Sequence, residues 1–294
     1  MKSVVVKRIL STVKSTDSYI DRDYNMNLYR GCTHGCIYCD SRSACYHIDD
    51  FDEVKVKANA LDILERELKS KRKCGIIATG SMSDPYNPFE KKQCVTREAL
   101  KLIDKYGFGV SITTKSSLIS RDTDLFKSIS SHSPVDIRLT ITTPYDELAS
   151  KIEPLAPHSS QRFSALERLS SSGAYTGIFI TPVLPFITDK TEDILKLVDL
   201  GHECGVRNIV CIPGMTLRDG NREYYYEVLD SVFPGIKEKY ISTFRNRYIC
   251  ASDNANEINS EFAKRCEEHG ILYKFKEINS EIRSLFKVKQ LELF

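Results

Sequence analysis

Residues 27–42 read Asn27-Leu28-Tyr29-Arg30-Gly31-Cys32-Thr33-His34-Gly35-Cys36-Ile37-Tyr38-Cys39-Asp40-Ser41-Arg42. Three thiols fall within this loop in the spacing Cys-x3-Cys-x2-Cys. Sulfurs this close in sequence converge when the loop wraps a metal centre, and Gly31 and Gly35 supply permissive backbone for that wrap. Thiolates are the usual iron–sulfur ligands, and a four-iron cluster usually takes four of them. Three leave one iron without a protein sulfur. An open iron binds a small molecule, which turns an electron carrier into a catalyst. Zinc is the alternative centre, with Cys45, His34 or His47 completing a tetrahedral set. Zinc sites usually join two separated ligand pairs, and no second CxxC or HxxxH occurs in the chain.

Working outward, the chain alternates short apolar runs with longer periodic segments. The expected strands are 24–30, 74–79, 108–114, 135–142, 175–183 and 207–213. Most are short and rich in Ile, Val or Thr, as buried parallel strands are. Helical periodicity falls between them at 56–71, 96–106, 122–131, 159–172 and 191–204. In the first of these, Ala60, Leu61, Leu64 and Leu68 share a face. Six such units predict an α/β fold with a parallel sheet, either an open partial barrel or a doubly wound sheet. Chemistry then belongs at the carboxyl ends of the strands. The cysteine loop follows the first strand, Gly80-Ser81-Met82-Ser83-Asp84-Pro85 the second, and Lys115 the third. Thr181-Pro182 ends the fifth. The expected organisation is an N-terminal segment 1–23, a core 24–228, and an α-rich C-terminal extension 229–294 with one short strand at 272–275.

Composition sets limits. The chain has 294 residues, with 42 Lys and Arg against 40 Asp and Glu. This near-neutral balance gives no general nucleic-acid footprint. No apolar run approaches the roughly 20 residues of a membrane helix, and the apolar stretch after Met1 is too short for a signal peptide. The expectation is a cytoplasmic protein with no membrane contact. Ten cysteines in that setting read as a metal site plus scattered buried thiols, not a disulfide framework.

The cysteine spacing, with the aromatic Tyr38 before the third thiol, resembles the signature of the radical S-adenosylmethionine superfamily. The wider stretch 27–42 is similar to the branch that includes spore photoproduct lyase, a DNA-repair enzyme. The likeness extends from about Tyr24 to Phe233. It implies a partial (β/α)6 barrel and a [4Fe–4S] cluster on Cys32, Cys36 and Cys39. It also implies S-adenosyl-L-methionine chelated on the fourth iron and cleaved reductively to a 5′-deoxyadenosyl radical that abstracts hydrogen from a substrate. An electron donor such as flavodoxin or ferredoxin is implied as partner.

Residue by residue, the resemblance assigns cofactor contacts to Tyr38, Ser83, Asp84, Lys115 and Thr140. Glu153-Pro154 and Gln161-Arg162 match the pattern without a firm role. Read alone, residues 81–86 are also an ordinary turn, and a strand-end Lys is usually a solvated charge. Arg138, Thr140 and Thr142 alternate onto one face of their strand.

The chain departs from the lyase at Gly80-Ser81-Met82, where that enzyme keeps a hydrogen-donating Cys. Cys211 is the candidate substitute donor, against the plainer reading of an inert buried thiol. The substrate is open. Arg218, Arg222 and Tyr224–Tyr226 offer a surface for bases, or simply pack. The contrasting reading is a noncatalytic binding protein stabilised by zinc or by a cluster.

Overall fold

The computed structural model describes residues 2–13 and 22–291; residues 14–21 of the expected N-terminal segment lie outside the described residues. Six parallel strands carry the fold: β1 (Tyr24–Met26), β2 (Ile76–Thr79), β3 (Gly109–Thr114), β4 (Val135–Thr140), β5 (Tyr175–Ile180) and β6 (Asn208–Cys211). They pair in strict chain order, and Leu10–Thr12 adds an antiparallel strand outside β1. The main helices between them are α1 (Ala60–Lys69), α2 (Val95–Lys105), α3 (Thr123–Ser130), α4 (Ser159–Ser171) and α5 (Thr191–Glu203). This is the partial (β/α)6 barrel expected, and a doubly wound sheet, which reverses strand order midway, is ruled out.

Strand alternation explains the layers. Val110, Ile112, Ile137, Leu139, Ile178, Ile180 and Ile209 point outward and join Leu64, Leu100, Phe126, Leu166 and Leu197 of the helices in one continuous core. The opposite face of β4 carries Asp136, Arg138 and Thr140, all buried. There the Arg138 guanidinium lies 5.1 Å over the Phe179 ring. Beyond β6 come α6 (Asn221–Val232), α7 (Ile236–Phe244), α8 (Ala255–Glu268) and α9 (Phe275–Leu291). Ile278 and Ile282 of α9 pack against Ile76, Tyr175, Phe179 and Val210, which closes the inner face of the sheet. Among the described residues no helix is long and apolar enough to cross a membrane.

Three expectations need correction. The first strand ends at Met26. Tyr29–Arg30 instead joins a separate small sheet, because the Lys57 ammonium and amide hold the Asn27 and Leu28 carbonyls and turn the chain. The helix expected from Val56 starts at Ala60, since Lys55–Lys57 is the middle strand of that small sheet, between Lys2–Val4 and Tyr29–Arg30. The strand expected near Leu272 is a single bridge from Leu272 to Asn208, and Phe275 already belongs to α9. A hairpin that periodicity did not reveal, Gly214–Thr216 with Ile249–Ala251, stands just past β6.

The turn leaving β2 depends on Gly80. Its φ is +104°, and a Cβ there would sit 1.9 Å from the Thr113 carbonyl oxygen. Gly80→Ala therefore combines backbone strain of about 1–3 kcal/mol with a clash against the neighbouring strand. The expected result is a lower urea midpoint at unchanged slope.

Candidate functional site

The cysteine loop is stitched to three parts of the chain. The Cys32 amide donates to the Phe51 carbonyl (3.0 Å), the Ile37 amide to Ile152 (3.0 Å), and the Leu155 amide to the His34 carbonyl (3.0 Å). Gly31 is required at the entrance: φ is +81°, and a Cβ would lie 2.4 Å from the Phe51 oxygen. Ser83 closes the other side, its hydroxyl donating to the Gly31 carbonyl at 2.6 Å.

Cys32, Cys36 and Cys39 line one cavity of about 530 Å³ at the carboxyl rim of the sheet. Gly80–Asp84, Lys115, Thr181-Pro182 and the hairpin residues Gly214–Thr216 and Ile249 also line it. Segments from separate strands therefore meet where the topology predicts. Tyr38, Ser83, Asp84 and Lys115 all reach this cavity. Thr140 does not border it; it is buried in β4, where its carbonyl accepts from Arg162 Nη1 at 2.9 Å.

Cys211 does not border the cavity either. It alternates with Val210 onto the outward, helix-covered face of β6, beside Cys266 of α8. Burial there pushes its thiol up to about 12. Ile212, the next residue, lines the cavity instead. This thiol is not placed to give hydrogen to anything held in the cavity.

Asp84 ties the rim together. Its Oδ1 accepts from Thr114 Oγ1 (2.6 Å) and the Tyr86 amide (2.8 Å), and its Oδ2 from the Lys115 amide (2.9 Å). His34 Nδ1 stands 3.3 Å from Oδ2. Burial alone would raise the Asp84 carboxyl, but the His34 charge and these donors hold it down at about 2. Burial opposes charge on His34 as well, yet Asp84 and then Cys32 push it up to about 10. For Cys32, burial raises the thiol and contact with His34 lowers it, with a net fall. Burial pushes Cys36 and Cys39 the other way.

Behind the loop Tyr38 joins a buried triad with Glu153 and Arg162, two residues that sequence reasoning left without a firm role. The Tyr38 hydroxyl donates to Glu153 Oε1, and Glu153 Oε2 lies 2.5 Å from Arg162 Nη2. Glu153 and Arg162 are fully buried. Burial works against the Glu153 charge, but Arg162 and Lys115 keep it below the usual carboxylate range. The Lys115 ammonium lies 5.5 Å over the Tyr38 ring and has no hydrogen-bond acceptor among the described residues. Burial disfavours its charge, while Cys36 and Glu153 more than restore it.

The residues named for a zinc set do not converge. His34 is turned to Asp84, whereas Cys45 is exposed beside Arg218 and His47 is exposed. Among the described residues no three His, Cys, Asp or Glu side chains gather as a single ion requires. A cluster differs, because each thiolate takes its own iron. Three thiols around a shared space fit that demand.

The aromatic run is packing. Tyr225 is buried against Tyr240, and Tyr224 stacks on Arg42, whose guanidinium lies 4.0 Å from its ring.

Comparison with known proteins agrees with this geometry. The sequence pattern of the Radical SAM superfamily matches residues 26–198. An uncharacterised protein of Methanocaldococcus jannaschii is 39% identical over 169 residues, which cover 56% of this chain and 62% of that protein. An uncharacterised protein of Mycobacterium bovis is 27% identical over 229 residues, covering 76% of this chain and 67% of that one. This chain thus spans less than two thirds of the archaeal relative's length. Among solved structures, a point mutant of spore photoproduct lyase superposes with TM-score 0.67 at 15% identity, over 92% of this chain and 81% of that one. The radical S-adenosylmethionine methyltransferase TsrM of Kitasatospora setae gives TM-score 0.58 at 11% identity, over 85% of this chain and 54% of that one. With more than half its length, cysteine loop included, under the family pattern, and with the fold seen in spore photoproduct lyase, the chain belongs to the radical S-adenosylmethionine superfamily of enzymes.

Proposed function

We propose that Cys32, Cys36 and Cys39 hold a [4Fe–4S] cluster and that the cavity beside them binds S-adenosyl-L-methionine for reductive cleavage. When bound, these groups supply an electron and a sulfonium that together yield a 5′-deoxyadenosyl radical. The chain's own residues position them. The observation that carries the reading is that three thiols and the Lys115 ammonium, which has no hydrogen-bond acceptor among the described residues, border the same cavity.

Lys115 is the cation for the cofactor carboxylate. Ser83 and Asp84 shape the wall where its amino group lies; their side chains are already engaged, so they act by holding backbone and cavity shape. Thr181 and Pro182 form an apolar edge for the adenine. Loss of one charge-assisted contact costs about 1.5–3 kcal/mol, which is about 10- to 100-fold in affinity. Lys115→Met is therefore expected to weaken S-adenosylmethionine binding by that factor while iron content stays unchanged, as equilibrium dialysis checks.

Substrate enters over the hairpin. No thiol other than Cys32, Cys36 and Cys39 lines the cavity among the described residues. The proposed reaction therefore returns no hydrogen from a cysteine at residues 80–82, unlike the lyase. A nucleic-acid substrate is the second reading. Tyr248, 44% exposed at the mouth with the Arg218 guanidinium 4.8 Å from its ring, offers a stacking surface for a base. Turnover of a dimer-containing oligonucleotide tests it. The electron comes from an external carrier such as flavodoxin or ferredoxin.

The deciding experiment is to give the reduced, cluster-loaded protein S-adenosylmethionine and measure 5′-deoxyadenosine. Release is expected. Its absence with an intact cluster would withdraw the assignment.

A further inference from the structure

An electron must reach the thiol-lined cavity from outside, and on the reading above its mouth, at Tyr248 and Ile249, is left to substrate. A second opening lies behind the cysteine loop. It is a cleft of about 600 Å³ bordered by Pro88, Lys91, Leu118, Leu155, His158 and His34, among others. His34 is the one residue common to the linings of the two spaces among the described residues. Its imidazole contacts the Cys32 thiol, and its carbonyl accepts from the Leu155 amide at 3.0 Å. Only one side chain therefore separates the outer cleft from the cluster ligands. Electron transfer falls steeply with distance, which favours so thin a wall as a point of entry.

The cleft's chemistry suits a particular visitor. No carboxylate lines it among the described residues. Lys91 is exposed and has no ion-pair partner among the described residues. Leu155 is 64% exposed, an apolar contact that nothing in the fold covers. A small apolar patch with unmatched positive charge fits a weak, steered encounter with an acidic protein.

We propose that this cleft is the docking face for a small acidic one-electron carrier protein, with His34 as the bridge to the cluster; the proposal rests on the cluster assignment above. The test uses cluster-loaded wild type, Lys91→Glu and Leu155→Asp. Each is first checked by its visible spectrum, then mixed in a stopped-flow cell with reduced flavodoxin or, separately, with dithionite. Lys91→Glu is expected to slow reduction by flavodoxin about tenfold at low salt and to flatten its salt dependence. Leu155→Asp is expected to slow it as well. Dithionite, which needs no docking face, should reduce all three at the same rate. Equal flavodoxin rates, or losses shared equally by dithionite, would overturn the docking face and leave the cluster assignment standing. A wild type without the cluster spectrum fails at the first step and overturns both.

Discussion

Cys36→Ala is expected to abolish both cluster uptake and 5′-deoxyadenosine release. Cys36 is the central thiol of the loop and is 8% exposed. Alanine leaves two thiolates for a cluster that needs at least three. No neighbour among the described residues is placed to replace the lost ligand: Cys45 is exposed and held by Arg218 (Nη1 to Sγ, 3.5 Å), and His34 is engaged with Asp84. Burial also pushes the Cys36 thiol well above the ordinary range. Ligation to iron removes that penalty, because a bound thiolate shares its charge with the metal. Wild type should carry about four irons per chain with broad visible absorption. The variant should lose both while keeping its far-ultraviolet circular dichroism. A variant that still holds four irons would show that another group supplies the ligand.

Removing Glu153 is expected to have the largest effect on stability. This buried carboxylate faces the Arg162 guanidinium, the Lys115 ammonium and the Tyr38 hydroxyl together. Arg162 keeps hydrogen bonds to the Pro157 and Thr140 carbonyls. Carbonyls, however, do not neutralise two buried cations. Breaking a buried pair from one side costs about 3–5 kcal/mol, and in a chain of this size that lowers the melting temperature by about 10 °C. Glu153→Gln should show this fall. Glu153→Gln combined with Arg162→Met should recover much of it, because the pair then disappears together. Additive losses in the double variant, read by anaerobic thermal unfolding, would mean that the two side chains act independently.

The cysteine loop and the buried pair differ in how openly the sequence shows them. Cys32, Cys36 and Cys39 stand together in the chain, so their convergence is legible from spacing. Strand order is legible too, since a run such as Val135–Thr140 followed by helix α4 leaves a parallel crossover as the natural arrangement. The Glu153–Arg162 pair is not. A Glu and an Arg nine positions apart look like solvated charges, and only the bend between Ile152 and Ser159 turns both inward. His34 escapes for a similar reason. As a loop histidine it reads as a spare ligand, but Asp84, fifty residues away, claims it. Thr140 and Cys211 show the limit of strand alternation. It assigns each to a face, but it does not say how deep in the barrel Thr140 sits. Nor does it say that the face of Cys211 is covered by α8.

The most direct test of the open-iron claim is the electron paramagnetic resonance spectrum of the reduced, cluster-loaded protein, recorded with and without S-adenosylmethionine. A signal that shifts when the cofactor is added is the predicted result, because only an iron without a protein ligand lets the cofactor perturb the cluster. A cluster signal identical in both samples would mean that a fourth side chain closes that position, and would contradict the account.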